Sequence, residues 1–290
     1  MDSRTYRFMY PLLTNADIPS DFPKEVRERR FETGIFLPQD DSNWFTRPPQ
    51  FPASLLLLEQ QALNIIPHPA SGLPAVTVSW RDLIQLETGY ILLLGWMKFA
   101  TRNGVHELFY NTRASRPLEK FLSSLRQSWL RNEDSRNIEA SPVIVGEELD
   151  IKFRNLLHFE LDPEEKVLVQ FFQPPVKVER KYFLFRRITW LPGHLLLLTS
   201  GSRLLWITDD YRHTRERYAS ISRSAPLRFF ENFGLEVLKA QLHLRISFAA
   251  DNIWYIPVHG VAEDTSAFAR MLREQITRLR TSQAVPNSSP

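Results

Sequence analysis

Ser54-Leu55-Leu56-Leu57-Leu58 and His194-Leu195-Leu196-Leu197-Leu198 are the two stretches that decide the fold. Each opens a strand-rich region, and each region ends in an amphipathic segment, Pro117 to Trp129 after the first and Ala262 to Leu279 after the second. The interval from each leucine run to the first aromatic of its terminal segment is similar: Leu55 to Phe121, then Leu195 to Phe268. Self-similarity on this scale reports architecture, one supersecondary unit occurring twice. It carries no chemistry of its own.

Around the first run the chain reads as strands. Ala53 to Leu58 and Ala62 to Ile66 are apolar and separated by Glu59-Gln60-Gln61, which predicts a hairpin. Ala75 to Trp80 alternates, with Val76, Val78 and Trp80 on one face. Leu83 to Glu87 and then Tyr90 to Ala100 follow, the latter expected as one long buried strand. Asn103-Gly104 is the strongest hairpin signal, and Val105 to Tyr110 leaves it as a strand. After Asn111 the period changes to helical. Leu118, Phe121, Leu122, Leu125 and Trp129 form one stripe, Pro117 suits the first turn, and Ser115 is the expected N-cap. A helix with one apolar stripe must pack on something, and the preceding sheet is the nearby apolar face.

Around the second run the pattern recurs. Asn155 to Leu161 and an Asp162-Pro163 turn open the module, and Lys166 to Phe172 reads as a strand before Pro174-Pro175. Tyr182 to Trp190, Leu195 to Leu198, Leu204 to Thr208, Gln241 to Phe248 and Asn252 to Val258 read as further strands. Phe268, Met271, Leu272, Ile276 and Leu279 form the stripe of the closing helix. Upstream of everything, Asp21 to Phe31 could be one helix capped by Ser20 or Asp21, and Gly34 to Leu37 an early strand.

Strands followed by one helix, twice over, predict an α+β, mainly β fold: two small, partly open antiparallel barrels, each closed by a C-terminal amphipathic helix. Each module resembles a pleckstrin-homology-like domain of the bacterial and GRAM type. The resemblance rests on Leu195-Leu196-Leu197-Leu198-Thr199-Ser200-Gly201-Ser202-Arg203-Leu204-Leu205-Trp206-Ile207, an apolar strand, a polar turn with an arginine and a second apolar strand. Leu156-Leu157 to Pro163-Glu164-Glu165-Lys166-Val167 resembles the entry that precedes that hairpin in the family. Residues 50–130 and 155–280 are covered. Module one departs from the pattern: Glu59-Gln60-Gln61-Ala62 lacks the arginine, and Pro67 to Pro74 is an insertion. The expected organisation is an N-terminal extension at 1–50 partly packed on module one, module one at 51–138, a linker at 139–152, module two at 153–281, and a disordered tail at 282–290.

Composition excludes several chemistries. The chain of 290 residues has no cysteine, so disulfides, thiolate metal sites and a cysteine nucleophile have no material. Prolines number 20 against 10 glycines, which leaves little for glycine-rich phosphate cradles. The first residues are too polar for a signal peptide, and the apolar runs are far shorter than the ~20 residues a membrane span needs. A cytoplasmic protein, peripheral at a membrane at most, is the expectation.

No catalytic motif emerges. The seven histidines (68, 106, 158, 194, 213, 243, 259) include no pair at ligand spacing, so no metal site is expected. Asp40-Asp41 and Asp209-Asp210 are adjacent acids, which ordinarily mark solvated turns. Neither catalytic residues nor a cofactor are assigned; an enzyme would need an inter-domain cleft that no motif outlines.

One feature stands above background. From Lys177 to Arg228 there are eleven Lys/Arg against four Asp/Glu, in a chain whose whole net charge is +3. Arg180-Lys181 and Arg186-Arg187 flank Tyr182-Phe183-Leu184-Phe185, and Arg212, Arg215 and Arg217 lie among Tyr211 and Tyr218. On a single strand, Arg180 and Arg186 would share one face and Lys181 and Arg187 the other. Guanidinium groups grip phosphate bidentately, and neighbouring aromatics suit a lipid interface or a base. These seven residues are the anion-binding candidates. The function expected is a non-enzymatic adaptor presenting surfaces to protein partners. The alternative is binding of anionic lipid through the basic face of module two, with nucleic acid ranked behind both. The resemblance points the same way, although the family's usual basic residues across the first hairpin turn have no residue-by-residue match.

Overall fold

The computed structural model describes residues 9–39, 52–91, 94–112, 115–130, 149–182, 185–210, 219–238, 241–258 and 262–284. The chain divides into two compact units. Unit 1 comprises Met1–Leu83 and Thr88–Asn132; unit 2 comprises Ile84–Glu87 and Glu133–Pro290.

Unit 1 begins with β1 (Tyr10–Leu12), a single-turn α1 (Lys24–Arg27), β2 (Thr33–Leu37), β3 (Ser54–Glu59), β4 (Ala62–Pro67) and β5 (Val76–Ser79). These five strands form one antiparallel sheet in chain order. The helix expected over Asp21 to Phe31 is only this one turn. Apart from Val26, which packs against the core beside Phe22, the residues of this turn are charged, and a helix this short is marginal by itself. The first leucine run is β3, and Leu55, Leu56, Leu57 and Leu58 are all buried. Leu55 and Leu57 join Ile18, Phe22 and Phe36 in one core cluster.

β6 (Leu83–Ile91), β7 (Leu94–Thr101) and β8 (Gly104–Asn111) follow, so the long strand expected over Tyr90 to Ala100 is divided between β6 and β7. In the β7–β8 hairpin Thr101 pairs with Gly104, so the turn is Arg102-Asn103, one residue earlier than expected. Gly104 sits at φ +140°, a conformation few side chains adopt. The closing helix α2 (Ser115–Leu130) buries Leu118, Phe121, Leu122, Leu125 and Trp129, the predicted stripe. It packs against β1 and β2, strands contributed by the N-terminal extension. Trp129 Nε1 donates to the Leu83 carbonyl at 3.0 Å, satisfying a buried polar group.

Unit 2 contains α3 (Ile151–Glu160), β9 (Val167–Gln173), β10 (Val176–Tyr182), β11 (Phe185–Leu191), β12 (His194–Thr199), β13 (Arg203–Asp210), β14 (Ala219–Pro226), β15 (Phe230–Leu238), β16 (Gln241–Phe248), β17 (Asn252–Pro257) and α4 (Ala262–Ala284). Strands run in the order β14-β13-β12-β9, β15-β16-β17 form a separate antiparallel sheet, and β10-β11 pair only with each other among the described residues. The second leucine run is β12. Leu196 and Leu198 join Trp206, Trp254, Phe248, Phe268 and Leu272 in one core. Leu195 and Leu197 join Phe153, Leu157, Leu205 and Ile207 in another, beneath α3. β12 is thus the middle layer, with α3 on one face and β15–β17 with α4 on the other.

That layering corrects the expected barrels. The protein is mainly β with antiparallel pairing, but among the described residues no sheet closes into a barrel. Strands of a closed barrel alternate interior and exterior residues, whereas four consecutive leucines need cover on both faces. Unit 2 supplies that cover from two separate layers.

Ile84–Glu87 of β6 belong to unit 2, and polar bonds hold them there. Gln85 Oε1 accepts from Trp254 Nε1 at 2.6 Å and Asn252 Nδ2 at 2.9 Å. Glu87 Oε2 accepts from Arg223 Nε at 2.7 Å, and the Arg223 guanidinium lies 4.6 Å from the Trp206 ring centre. α4 extends to Ala284, so Ser282–Ala284, expected in the tail, are helical. In α4, Phe268, Leu272 and Ile276 are buried, but Met271 is 47% exposed and lies off the stripe.

Candidate functional site

The expected strand Tyr182 to Trp190 is two strands. β10 and β11 form an antiparallel hairpin from Val176↔Leu191 to Tyr182↔Phe185. Arg180 stands opposite Arg187 and Lys181 opposite Arg186. Directly opposed residues of an antiparallel pair belong to the same face. The face grouping expected from one strand therefore does not hold: Arg180 groups with Arg187, and Lys181 with Arg186. The hairpin brings together four of the seven candidates, in two successive like-charged cross-strand positions next to the Tyr182↔Phe185 pair. Arg212, Arg215 and Arg217 lie outside the described residues.

The arginine of the second leucine hairpin has a different place. Arg203 opens β13 and is fully buried. Its Nε donates to Glu165 Oε1 at 2.7 Å and its Nη2 to Glu165 Oε2 at 2.5 Å. Nη2 also donates to the Glu160 carbonyl at 2.6 Å, and Nη1 to Ser224 Oγ at 3.2 Å. Thr199 Oγ1 donates to Glu165 Oε1 as well. Burial opposes the charge on Glu165, but the Arg203 charge and these hydrogen bonds prevail and hold its carboxyl below the ordinary value. Arg203 is correspondingly raised against its own burial. The pair ties the loop after α3 to the β12–β13 turn, where Ser202 adopts φ +54°. With its donors engaged inside the protein, Arg203 is a fastening for the turn.

Of the adjacent acids, Asp209 differs from expectation, and Asp40 and Asp41 lie outside the described residues. Asp209 is buried within β13 and pairs with Lys152 Nζ of α3 at 2.5 Å. α3 begins where the linker was expected to end, with the Asp150 side chain accepting from Lys152 N at 3.0 Å. Continuous apolar burial along β13 carries Asp209 inside, and the lysine offsets its desolvation.

Among histidines, His194 begins β12, buried, with Nδ1 2.8 Å from Thr208 Oγ1. His68 Nε2 lies 2.8 Å from Asp21 Oδ2. Its Nδ1 accepts from Ala70 N at 3.2 Å within the Pro67–Pro74 insertion, so one ring nitrogen braces the insertion and the other ties it to the N-terminal segment. An open depression of about 540 Å³ is lined by Arg30, Phe31, Glu32, Glu59, Gln60 and Gln61. Its Glu59 is paired with Arg29 at 2.9 Å, and no nucleophile–base pair faces it. Among the described residues no group of three or more His, Asp or Glu could hold a metal, and no helix is long and apolar enough to cross a membrane.

The chain matches no family model, and no curated protein is similar to it.

Proposed function

We propose that the protein is a non-enzymatic binding protein whose β10–β11 hairpin engages anionic lipid headgroups. The observation that carries this reading is the register Arg180↔Arg187 and Lys181↔Arg186. Like charges directly opposite each other destabilise a two-stranded ribbon, and a lone hairpin has little stability to lose. The two rows fall on opposite faces of the hairpin, each a pair of cations side by side, and a phosphate bound at a row would relieve that row's repulsion. The residues joining the strands in sequence, Phe183-Leu184, with Tyr182 and Phe185 beside them, have the composition that partitions into a lipid interface. The resemblance to pleckstrin-homology-like modules supports an adaptor role through element order, strands followed by a closing helix.

The test is co-sedimentation of the full chain with phosphatidylcholine vesicles, with and without phosphatidylserine or a phosphoinositide. Binding should require the acidic lipid and weaken steeply with salt. Changing Arg180, Lys181, Arg186 and Arg187 together to Glu should abolish it without loss of the unfolding transition. Absence of wild-type binding at low salt would sink the lipid reading and leave an acidic protein partner.

A further inference from the structure

The edge of the β15–β17 sheet carries an independent inference. β15 pairs with β16 on one side and, among the described residues, with no strand on the other. The β15–β16 register is Phe233↔Ile246, Leu235↔Leu244 and Val237↔Leu242. Leu244, Ile246 and the β17 residues Trp254 and Ile256 are buried in the unit 2 core. Phe233, Leu235 and Val237 are therefore the outermost row of the same apolar face. Phe233 is covered in part, with the Arg273 guanidinium of α4 5.2 Å from its ring. Leu235 is 42% exposed and Val237 67% exposed.

Natural sheets protect such edges with short strands, proline, inward charges or bulges. β15 has nine residues and no proline, and its bulge lies at the start, between Phe230 and Asn232. Asn232 to Leu238 continues as regular strand. An exposed, regular, apolar edge of this length is a template for another strand.

We propose that the strand it takes is β15 of a second copy of this chain, antiparallel, about a twofold axis at Leu235. Three registers set different residues of the row Phe233, Leu235 and Val237 against each other, and charge separates them. Centring on Glu236 would oppose two carboxylates directly. Centring on Gly234 would set Glu231 against Val237. Centring on Leu235 sets Leu235 against its own copy, Phe233 against Val237, and Glu236 against Gly234. The last match is complementary in charge. Gly234 stands opposite Arg245 on β16, and a Cβ placed on Gly234 would meet nothing within 4 Å. The row Arg245, Gly234, Glu236 of the second copy thus has no intervening side chain between guanidinium and carboxylate. Arg245 already lies 3.6 Å from Glu236 of its own chain, on the exposed side of the sheet. A twofold axis repeats the row, so each interface gains two such crossings.

The test uses the full-length chain. Sedimentation velocity from micromolar to high-micromolar concentration should show a reversible dimer. Because the sequence has no cysteine, an introduced one reports register directly. Opposed residues in an antiparallel pair lie about 4.5–5.5 Å apart at Cα, within disulfide range. Leu235→Cys should give a covalent dimer under mild oxidation, and Val237→Cys, which faces Phe233, should give far less. Leu235→Lys with Val237→Lys should weaken association about tenfold or more with the melting temperature preserved, since both side chains are exposed. A wild type monomeric throughout that range would overturn the proposal. So would equal cross-linking of the two cysteine variants, a double-lysine variant that still dimerises, or an edge that takes other extended peptides in preference to its own copy. The hairpin reading stands or falls separately, since none of these variants touches β10 or β11.

Discussion

Arg203 and Glu165, 38 residues apart in sequence, meet through two hydrogen bonds of 2.7 and 2.5 Å with neither side chain open to solvent. Removing one member of a buried pair leaves an uncompensated charge, which costs about 3–5 kcal/mol. Glu165→Met and Arg203→Met should each lower the stability of the chain by that order. Replacing both with Met should cost much less than the sum of the singles. Chemical denaturation of the four-member cycle measures this, and additive losses would show that the two residues act separately.

The same pair predicts an acid transition. The Glu165 carboxyl is held below its ordinary value of 4.5. A depressed folded-state value contributes stability that is fully present above the unfolded value and is lost as pH falls through the folded one. Unfolding free energy should therefore decline below about pH 4.5, and Glu165→Gln should flatten that part of the profile while lowering stability near neutrality. Thermal melts from neutral pH to pH 2 on both proteins test it. A variant with an unchanged acid slope would assign the transition to other carboxyls.

Gly201 lies against this pair. A Cβ built there would stand 2.7 Å from Glu165 Oε1. That carboxylate is fixed by Arg203 and Thr199 and cannot simply swing away. Gly201→Ala should cost about 1–3 kcal/mol, as overpacking at a fixed group does. Gly234→Ala, with open space at the same position, should stay within about 0.5 kcal/mol.

Phe121 of α2 and Phe268 of α4 are both buried, and Phe268 packs on Phe171 with ring centres 4.9 Å apart. Phe→Ala at either should cost about 3–5 kcal/mol. Met271→Ala, three residues after Phe268 but exposed, should cost under about 0.5 kcal/mol. Comparable losses at Met271 and Phe268 would mean that the helix presents a different face.

These residues also mark what the sequence makes legible. The change from strand period to helical period located both closing helices and most of the buried positions described in them, missing Arg126, Ser128 and Leu130. The leucine runs were legible as strands, and the structure adds that both of their faces are covered. Barrel closure was not legible, because which layer covers a face depends on contacts distant in sequence: α3 beneath Leu195, and α4 with β15–β17 over Leu196. The resemblance placed Glu165 and Arg203 in neighbouring family motifs, yet only three dimensions show them joined. β14 has the composition of a polar loop, Ser220, Ser222 and Ser224 alternating with Ala219, Ile221, Arg223 and Ala225, and its partner β13 decides its state. β15 was missed although Phe233, Leu235 and Val237 alternate at strand spacing. The basic residues were read as one strand, and the two-strand register changes which of them are neighbours.

That register makes a prediction with two readouts of opposite direction. Arg187 stands opposite Arg180 in the β10–β11 hairpin. Changing Arg187→Glu converts a like-charged cross-strand pair into an opposite-charged one. Such a change should stabilise the hairpin by about 0.2–1 kcal/mol, read as slower amide exchange across β10 and β11. The same change removes two units of positive charge from the proposed anion contact, so affinity for acidic vesicles should fall. The reciprocal variant Arg180→Glu should behave alike, and the double variant should lose the stability gain, because two carboxylates then face each other. A hairpin that merely carries solvated charge would change in stability with no change in vesicle binding. A hairpin whose cations are compensated elsewhere in the protein would lose stability in both single variants, contradicting the anion-contact reading at its source.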